Sequence, residues 1–246
     1  MADKQTTTQR DGFKSKWGFI LACIGSAVGM GNIWRFPIMV SLWGGMTFLI
    51  PYFICVILIG STGVIGEFAL GRATGAGPIG AFGKCTELRG NKKIGEAIGF
   101  IPVLGSMALA IGYTVVMGWI FKYTAIAITG DMHAMGQDMA AIGGHFDIVA
   151  VSNLPWIIVA IVASFAIMAM GVSGGIEKAN KVMMPVLFAL FLALGVYIFT
   201  LDGSSDGYKY ILTINPKGLA DPKLWIYAFG QAFFSLSVAG NGSVIY

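Results

Sequence analysis

The sequence predicts an all-α integral membrane protein whose first and last membrane helices are broken. Three observations lead to this fold class. Hydrophobic residues make up 56% of the 246-residue chain and charged residues only 11%, with a mean hydropathy of +0.77, whereas soluble domains carry about 25% charged residues. The apolar residues form segments long enough to cross a bilayer as helices. Glycines and an asparagine are concentrated inside two of these segments.

Charged residues divide the chain into apolar segments. A helix of about 20 residues crosses the roughly 30 Å hydrocarbon core of a membrane. Six segments approach or exceed that length, at residues 17–39, 45–70, 97–128, 153–172, 178–201 and 222–246. We expect a single transmembrane domain that consists of a polar N-terminus at 1–16, a five-helix repeat at 17–201, an extracellular loop at 202–221 and the start of a sixth helix at 222–246.

The placement of lysine and arginine predicts the orientation, because positively charged loops stay in the cytoplasm. Most of the 16 basic residues precede the first segment or lie between the second and third or the fourth and fifth segments. The opposite loops, at about 129–152 and 202–221, are rich in aspartate. We therefore expect a plasma-membrane protein with a cytoplasmic N-terminus. The sequence lacks the basic and aromatic layout of a nucleic-acid binder.

The first apolar segment has the composition of a broken helix. From Trp17 to Trp34 it has no charge but contains four glycines, and Asn32 follows the last of them. An unpaired backbone group in hydrocarbon costs several kcal/mol, so such a break requires protein, ions or a ligand to satisfy the freed groups. The Asn32 amide could hydrogen-bond a neighbouring helix. Alternatively, it could join free carbonyls around a small cation such as sodium, beside half-helix amides that favour an anion.

The sixth segment repeats this pattern. Between Phe233 and Gly242 it places two serines, two glycines and Asn241 inside an apolar run, which predicts a second broken helix. Interruptions in the first and sixth spans are what an inverted five-helix repeat predicts for its two corresponding first helices. The two breaks are therefore the candidate binding site.

Two charged residues in or beside the spans also need a role. A buried acid needs a partner, and Glu67, deep in the second span, could extend toward Arg72 at the inner surface or accept hydrogen bonds from the backbone of a broken helix. Arg35, at the outer end of the first span, is either an interfacial anchor or a gate residue. No arrangement of a nucleophile, a histidine and an acid indicates an enzyme.

The two interruptions resemble the signatures of a known family. The run from Gly25 to Pro37 resembles the first-helix signature of the neurotransmitter:sodium symporters, and the run from Gly230 to Ser237 resembles their sixth-helix signature. Between them, Gly71-Arg72, Tyr113, Trp119 and the run from Gly175 to Pro185 also fit, so the resemblance covers nearly the whole chain. It implies a prokaryotic amino-acid member, with the first five-helix half of an inverted-repeat symporter fold, the start of the sixth helix, and transport by alternating access.

The resemblance implies two sodium sites and one amino-acid site. One sodium would bind the Ala27 carbonyl, the Asn32 amide, Ser235 and the substrate carboxylate, and the second would bind the Gly25 and Val28 carbonyls. The substrate carboxylate would also contact the Met30 and Gly31 amides and the Tyr113 hydroxyl. The substrate ammonium would contact the carbonyls of Ala27, Phe234 and Ser235 and the Ser237 hydroxyl.

The nature of the substrate follows from two positions of the resemblance. Gly29 stands where monoamine members have an aspartate, so the substrate should bring its own carboxylate. Leu109 and Gly240 fall at positions that line the side-chain pocket, and Gly240 replaces a residue that is often bulky. We infer an apolar amino acid, with room for a large or aromatic side chain.

The resemblance also implies gate and support residues. It assigns Arg35 and Phe234 to the outer gate with Gln231 near it, Arg10 to an inner latch, and Glu67 to the support of the two broken helices. Phe13 departs from the tryptophan that is usual beside the latch. Gly175 and Pro185 match a fifth-helix spacing that in the family can unwind and let water reach the second sodium. A helix start with a mild kink is the alternative.

The chain supplies only one repeat and the start of the next. The remaining ligands of the second sodium, the residue that sets chloride dependence and the acid that pairs with Arg35 would lie beyond Tyr246, so a chloride requirement and the oligomeric state stay open. We expect sodium, an amino acid and lipid as partners, and no transport by residues 1–246 alone. The competing hypothesis is a non-transporting membrane subunit, or a half-transporter that pairs with another copy.

Overall fold

The computed structural model describes residues 12–136, 138–151 and 153–246, and these residues form helices and no β-strand. The helices are α1 (Lys16–Ala27), α2 (Phe36–Leu42), α3 (Met46–Ile59), α4 (Ile65–Thr74), α5 (Pro78–Glu87), α6 (Lys92–Thr129), α7 (Asp131–Ala134), α8 (Met139–Val151), α9 (Leu154–Ala169), α10 (Glu177–Phe199), α11 (Ser204–Leu212), α12 (Pro216–Leu219), α13 (Pro222–Ser235) and α14 (Gly242–Ile245). Single π-helical turns at Gly31–Arg35, Gly60–Val64 and Val172–Ile176 lead into α2, α4 and α10. The predicted all-α class is confirmed.

Several helices are long and apolar enough to cross a membrane. Over the described residues, three continuous stretches qualify, at Met46–Thr74, Lys92–Thr129 and Val172–Phe199. Two bent pairs qualify when each pair is taken together: Lys16–Ala27 with Gly31–Leu42, and Ala140–Val151 with Leu154–Ala169. The second pair extends into a region that the sequence treats as a loop, because the residues of α8 are themselves mostly apolar.

The first membrane helix breaks where its glycines cluster. Ser15 caps the start of α1, and its Oγ accepts a 3.0 Å hydrogen bond from the Gly18 amide. The helix ends at Ala27, where Val28 becomes extended with φ −81° and ψ 100°. The chain resumes as helix after Gly29, with a bend of 59° between the two halves. The predicted break is therefore present.

The sixth membrane helix is broken as well. Asp221 caps α13 by accepting a 2.9 Å hydrogen bond from the Lys223 amide, and α13 ends at Ser235. The turn that follows contains three non-glycine residues with positive φ: Ser237 at 53°, Ala239 at 61° and Asn241 at 65°. Such left-handed geometry costs roughly 1–2 kcal/mol per residue. The turn is therefore held by contacts outside itself.

The described chain divides into two compact units, and both helix breaks belong to the larger one. This larger unit comprises Phe13–Gly105 and Glu177–Tyr246. In it, α13 packs on α3, α1 packs on α10 and α14 packs on α4. Its buried centre includes Cys55, Ile59 and Ala232.

The smaller unit contains the rest of α6 together with α7, α8 and α9, over Ser106–Ile176. Within it, α9 packs against the π-helical turn at Val172–Ile176. Aromatic rings connect α6 to α8, with the Trp119 and Phe146 ring centres 5.4 Å apart. This unit carries the predicted pocket residues Leu109 and Tyr113.

Candidate functional site

The two helix breaks lie side by side in the larger unit. α13 packs against the Gly31–Arg35 turn, and Gln231 on α13 is fully buried. Its Nε2 donates hydrogen bonds to the Gly31 carbonyl at 3.1 Å and to the Ser235 hydroxyl at 3.3 Å. Gln231 was expected near an outer gate. These two hydrogen bonds join the end of α13 to the first break, and the gate role stays a prediction.

The first break presents an unsatisfied amide oxygen. Asn32 donates from its Nδ2 to the Ala27 carbonyl at 3.1 Å. Its Oδ1 is buried and accepts no hydrogen bond from any described residue, and the same holds for Gln231 Oε1. A buried acceptor without a partner costs about 1–3 kcal/mol. These two buried oxygen atoms are therefore available as ligands for a cation.

The second break packs closely against the first. A Cβ on Gly31 would overlap the ring of Phe234, so only glycine fits at this position without a shift of the ring. Ser235, the last residue of α13, is buried, and the amide of Ser237 donates a 3.1 Å hydrogen bond to the Phe234 carbonyl. The structure thus brings together Asn32, Gly31, Phe234 and Ser235 of the expected site.

Gly240 and Asn241 complete the turn of the second break. A Cβ on Gly240 would lie 2.7 Å from the Ser237 Oγ, so this position also favours glycine. The Nδ2 of Asn241 donates a 2.9 Å hydrogen bond to the Pro102 carbonyl on α6. Nothing in the local sequence indicates this contact, because the partner of Asn241 lies 139 residues away.

Glu67 contacts the backbone of the second break. Its Oε1 accepts a 2.7 Å hydrogen bond from the Ala239 amide. Its Oε2 is buried without a partner in the described part of the chain. A hydrogen bond between a carboxylate and a backbone amide is among the stronger kinds in proteins. Of the two alternatives drawn from the sequence, this contact favours the interaction with the broken helix.

The expected gate residues are distributed along the chain. Arg35 is exposed at the end of the first π-helical turn, and Arg10 lies outside the described residues. Phe13 packs edge to face on Phe19 and on Tyr246, with ring centres 5.5 and 5.3 Å apart. An aromatic contact therefore joins the start of α1 to the end of the described chain at Tyr246, although the family tryptophan is absent.

Four further residues were expected to have a role in substrate binding or in the unwinding of the fifth helix. In the smaller unit, Tyr113 is partly buried and Leu109 is 45% exposed. Gly175 is buried in the π-helical turn before α10, where a Cβ would overlap the Ile167 carbonyl. Pro185 lies inside α10. The roles expected for these four residues stay predictions.

Comparison with known proteins gives consistent matches over nearly all of the chain. Residues 10–135 and 137–246 match the sequence model of the sodium:neurotransmitter symporter family. The chain is 35% identical over 250 residues to the uncharacterized sodium-dependent transporter MJ1319 of Methanocaldococcus jannaschii, covering 96% of this chain and 48% of that protein. It is 33% identical over 235 residues to the uncharacterized sodium-dependent transporter YhdH of Bacillus subtilis, covering 94% of this chain and 51% of that protein.

A solved structure is similar to the chain as well. The crystal structure of MhsT in complex with L-phenylalanine superimposes with a TM-score of 0.80 at 33% sequence identity, covering 96% of this chain and 54% of that one. The chain thus spans about half the length of the curated relatives that it matches.

Proposed function

The chain belongs to the sodium:neurotransmitter symporter family, and from that membership we propose that the protein couples uptake of an apolar amino acid to sodium entry by alternating access. Its apolar helices and its relatives make it a multi-pass membrane protein of a sodium-dependent transporter family. The predicted fold class, with the N-terminal half of such a transporter and a broken sixth helix, is confirmed. The substrate, the binding sites and the orientation in the membrane are part of this proposal.

One observation supports the sodium site most directly: the buried Oδ1 of Asn32 has no partner among the described residues. The Ala27 carbonyl is adjacent, since Asn32 Nδ2 already donates to it. We propose that one sodium binds Asn32 Oδ1, the Ala27 carbonyl, the Ser235 hydroxyl and the substrate carboxylate. The second sodium would bind the Gly25 and Val28 carbonyls, where α1 ends.

The proposed substrate is an amino acid with an apolar side chain. Gly29 supplies no carboxylate at the first break, so the substrate carboxylate completes the first sodium site and contacts the Met30 and Gly31 amides. The carbonyls of Ala27, Phe234 and Ser235 and the Ser237 hydroxyl would bind its ammonium group. The similar protein MhsT was crystallised with L-phenylalanine, which supports a pocket for an apolar and aromatic side chain. From the family resemblance, Leu109 and Gly240 are proposed to line the rest of it, and the Tyr113 hydroxyl is proposed to contact the substrate carboxylate.

Coupling follows from the shared ligand. Because the substrate carboxylate is also a sodium ligand, sodium and substrate must raise each other's affinity by the same factor. Sodium entry is favoured by about 2.3 kcal/mol per charge for each 100 mV of membrane potential. Arg35 and Phe234 are proposed to close the site from outside, with Arg10 on the inner side and the N-terminus in the cytoplasm. Chloride dependence stays open.

Amino-acid binding in sodium and in potassium tests this proposal. The protein as its gene encodes it is purified and screened against the twenty common amino acids. We expect binding in sodium only, and Asn32→Ala should raise the half-saturating sodium concentration by about tenfold, the effect of losing one ligand worth about 1.4 kcal/mol. Asn91→Ala, in the exposed loop before α6, is the matched control and should bind as the wild type does.

Two results would contradict the proposal. Equal binding in sodium and potassium would remove sodium from the site, and an unchanged sodium requirement in Asn32→Ala would remove Asn32 from it. We also expect residues 1–246 alone not to transport, because they contain one repeat and only the start of the next. Sodium-driven uptake by this segment in vesicles would refute that expectation.

A further inference from the structure

A second carboxylate is buried outside the site described above. Glu177, the first residue of α10, is 1% exposed. Its Oε2 accepts a 2.7 Å hydrogen bond from the Lys14 backbone amide. Its Oε1 accepts hydrogen bonds from the Ser15 hydroxyl at 2.9 Å and from the Lys181 ammonium at 2.6 Å. A buried carboxylate is stable only with such compensation, so these donors and Glu177 form one unit.

Two of the hydrogen-bond donors to Glu177 belong to the segment that precedes α1. Lys14 and Ser15 are the residues that precede α1, and Ser15 caps the helix through the Gly18 amide. Glu177 therefore binds the residues that start α1. Gly18 allows this close approach, because a Cβ there would overlap the Glu177 carboxylate. The first turn of α1 is fastened to the first turn of α10.

The contact continues along the two helices as a seam whose α10 residues are the polar Glu177 and Asn180 and the apolar Met184. A Cβ on Gly25 would overlap Asn180 Oδ1 and would lie 3.6 Å from Met184 Sδ. Glu177, Asn180 and Met184 are three and seven residues apart, so they lie on one face of α10. Gly18 and Gly25 are two turns apart on α1, about 10 Å along its axis. The seam thus leads from the Glu177 carboxylate to the end of α1.

A polar seam differs from an apolar one in how it separates. Water can replace the partners of a carboxylate and an amide when helices part, since net hydrogen-bond free energies in water are small. An apolar seam would expose hydrocarbon instead. The α1 and α10 contact is therefore suited to open to water from the end at which Glu177 lies.

We propose that Glu177 is a positioning residue for sodium coupling, which fastens the start of α1 to α10 and thereby keeps water away from Gly25. Opening of this clasp, meaning the contacts of Glu177 with Lys14, Ser15 and Lys181, lets water reach the end of α1. The inference rests on the proposed function, because Gly25 is proposed there as a ligand of the second sodium. Water access to Gly25 would thus be controlled by Glu177, a residue outside both helix breaks.

Cys23, two residues before Gly25, gives a direct readout. A thiol reacts as the thiolate, so its labelling rate rises when water reaches it. In the protein as its gene encodes it, every cysteine except Cys23 is replaced, with Cys55→Ala and Cys85→Ala among the changes. A membrane-impermeant methanethiosulfonate reagent is then applied to the cytoplasmic face of inside-out vesicles. Glu177→Gln should raise the Cys23 labelling rate at least about tenfold, as expected when one charge-assisted hydrogen bond is lost.

The matched control is the same substitution at an exposed glutamate. Glu87 pairs with Lys92 at 3.7 Å, and both side chains are more than half exposed. Glu87→Gln should leave the labelling rate of Cys23 unchanged. Lys181→Met removes one donor and keeps the carboxylate, so it should raise the rate in the same direction by less. It serves as the test variant if Glu177→Gln does not fold.

Direct binding of radioactive sodium distinguishes a positioning role of Glu177 from a general loss of structure in the variants. The same variants should raise the half-saturating sodium concentration severalfold and keep the number of sites per protein, whereas a merely damaged protein would lose sites. Labelling of Cys23 at the background rate in both Glu177→Gln and Lys181→Met would overturn the proposal, as would faster labelling with unchanged sodium affinity. Absence of sodium binding in the background protein would instead contradict the proposed function, and the labelling rates would still decide whether Glu177 closes α1.

Discussion

Replacing Glu67 with alanine is expected to weaken sodium-dependent amino-acid binding about tenfold. Glu67 Oε1 accepts a 2.7 Å hydrogen bond from the Ala239 amide. Ala239 stands at a φ of 61°, in a turn whose residues are proposed to contact the substrate. Without the carboxylate, the turn can relax toward a less strained backbone and lose its binding geometry.

The magnitude follows from the hydrogen bond and the strain. A hydrogen bond to a charged group contributes about 1.5–3 kcal/mol, and the lower end applies because Ala239 is exposed. About 1.4 kcal/mol corresponds to tenfold in affinity. Left-handed geometry at Ala239 opposes the native turn by roughly 1–2 kcal/mol, and glycine would remove most of that opposition. Glu67→Ala with Ala239→Gly should therefore recover much of the lost affinity.

The assay is equilibrium binding of the amino acid that binds wild-type protein in sodium, measured at saturating sodium on purified variants. Glu87→Ala, which removes an exposed glutamate, is the control and should bind normally. Wild-type affinity in Glu67→Ala would refute the argument from the hydrogen bond. A double variant no better than Glu67→Ala alone would refute the argument from strain.

Gly71 and Gly31 are both places where a Cβ would overlap a neighbouring residue. Gly71→Ala should lower the thermal stability of the detergent-solubilised protein, because its Cβ would overlap the Val244 carbonyl and a backbone atom cannot rotate away. Gly66→Ala on the same helix meets no atom within 4 Å and should be neutral or stabilise by up to about 1 kcal/mol, so equal effects of the two would contradict the packing of α14 on α4. Gly31→Ala should reduce amino-acid binding by at least about tenfold, because its Cβ would overlap the Phe234 ring, and Phe234→Leu should partly restore binding in that background. Wild-type binding by Gly31→Ala alone would refute this contact.

The helix breaks could be predicted from the sequence because their cause is local. Glycines and an asparagine inside an apolar run leave backbone groups that hydrocarbon cannot satisfy, and the breaks at Ala27 and Ser235 follow that rule. The helix over Met139–Val151 was missed, since its region was treated as a loop on the grounds of its aspartates. Charge indicates which side of the membrane a segment faces and says little about its backbone.

The contacts that hold the site could not be predicted, because each joins residues far apart in the chain. Gln231 reaches Gly31 across 200 residues, and Glu177 reaches Lys14 across 163. No local pattern indicates such partners.

The turn of the second break also differs from the usual expectation that glycine occupies the positions with positive φ. Ser237, Ala239 and Asn241 have positive φ, whereas Gly240 between them does not. Tertiary contacts rather than residue preference therefore set this backbone.

The alternation of left-handed residues in that turn has an electrostatic consequence. Positions 237, 239 and 241 have positive φ, and the residues between them do not. The amides of Ser237, Val238 and Gly240 donate to backbone carbonyls within the turn. The Ala239 amide instead donates to Glu67, which places a carboxylate directly beside the turn. The second break therefore carries its own negative charge, which favours the ammonium group over the carboxylate of the proposed substrate at this place.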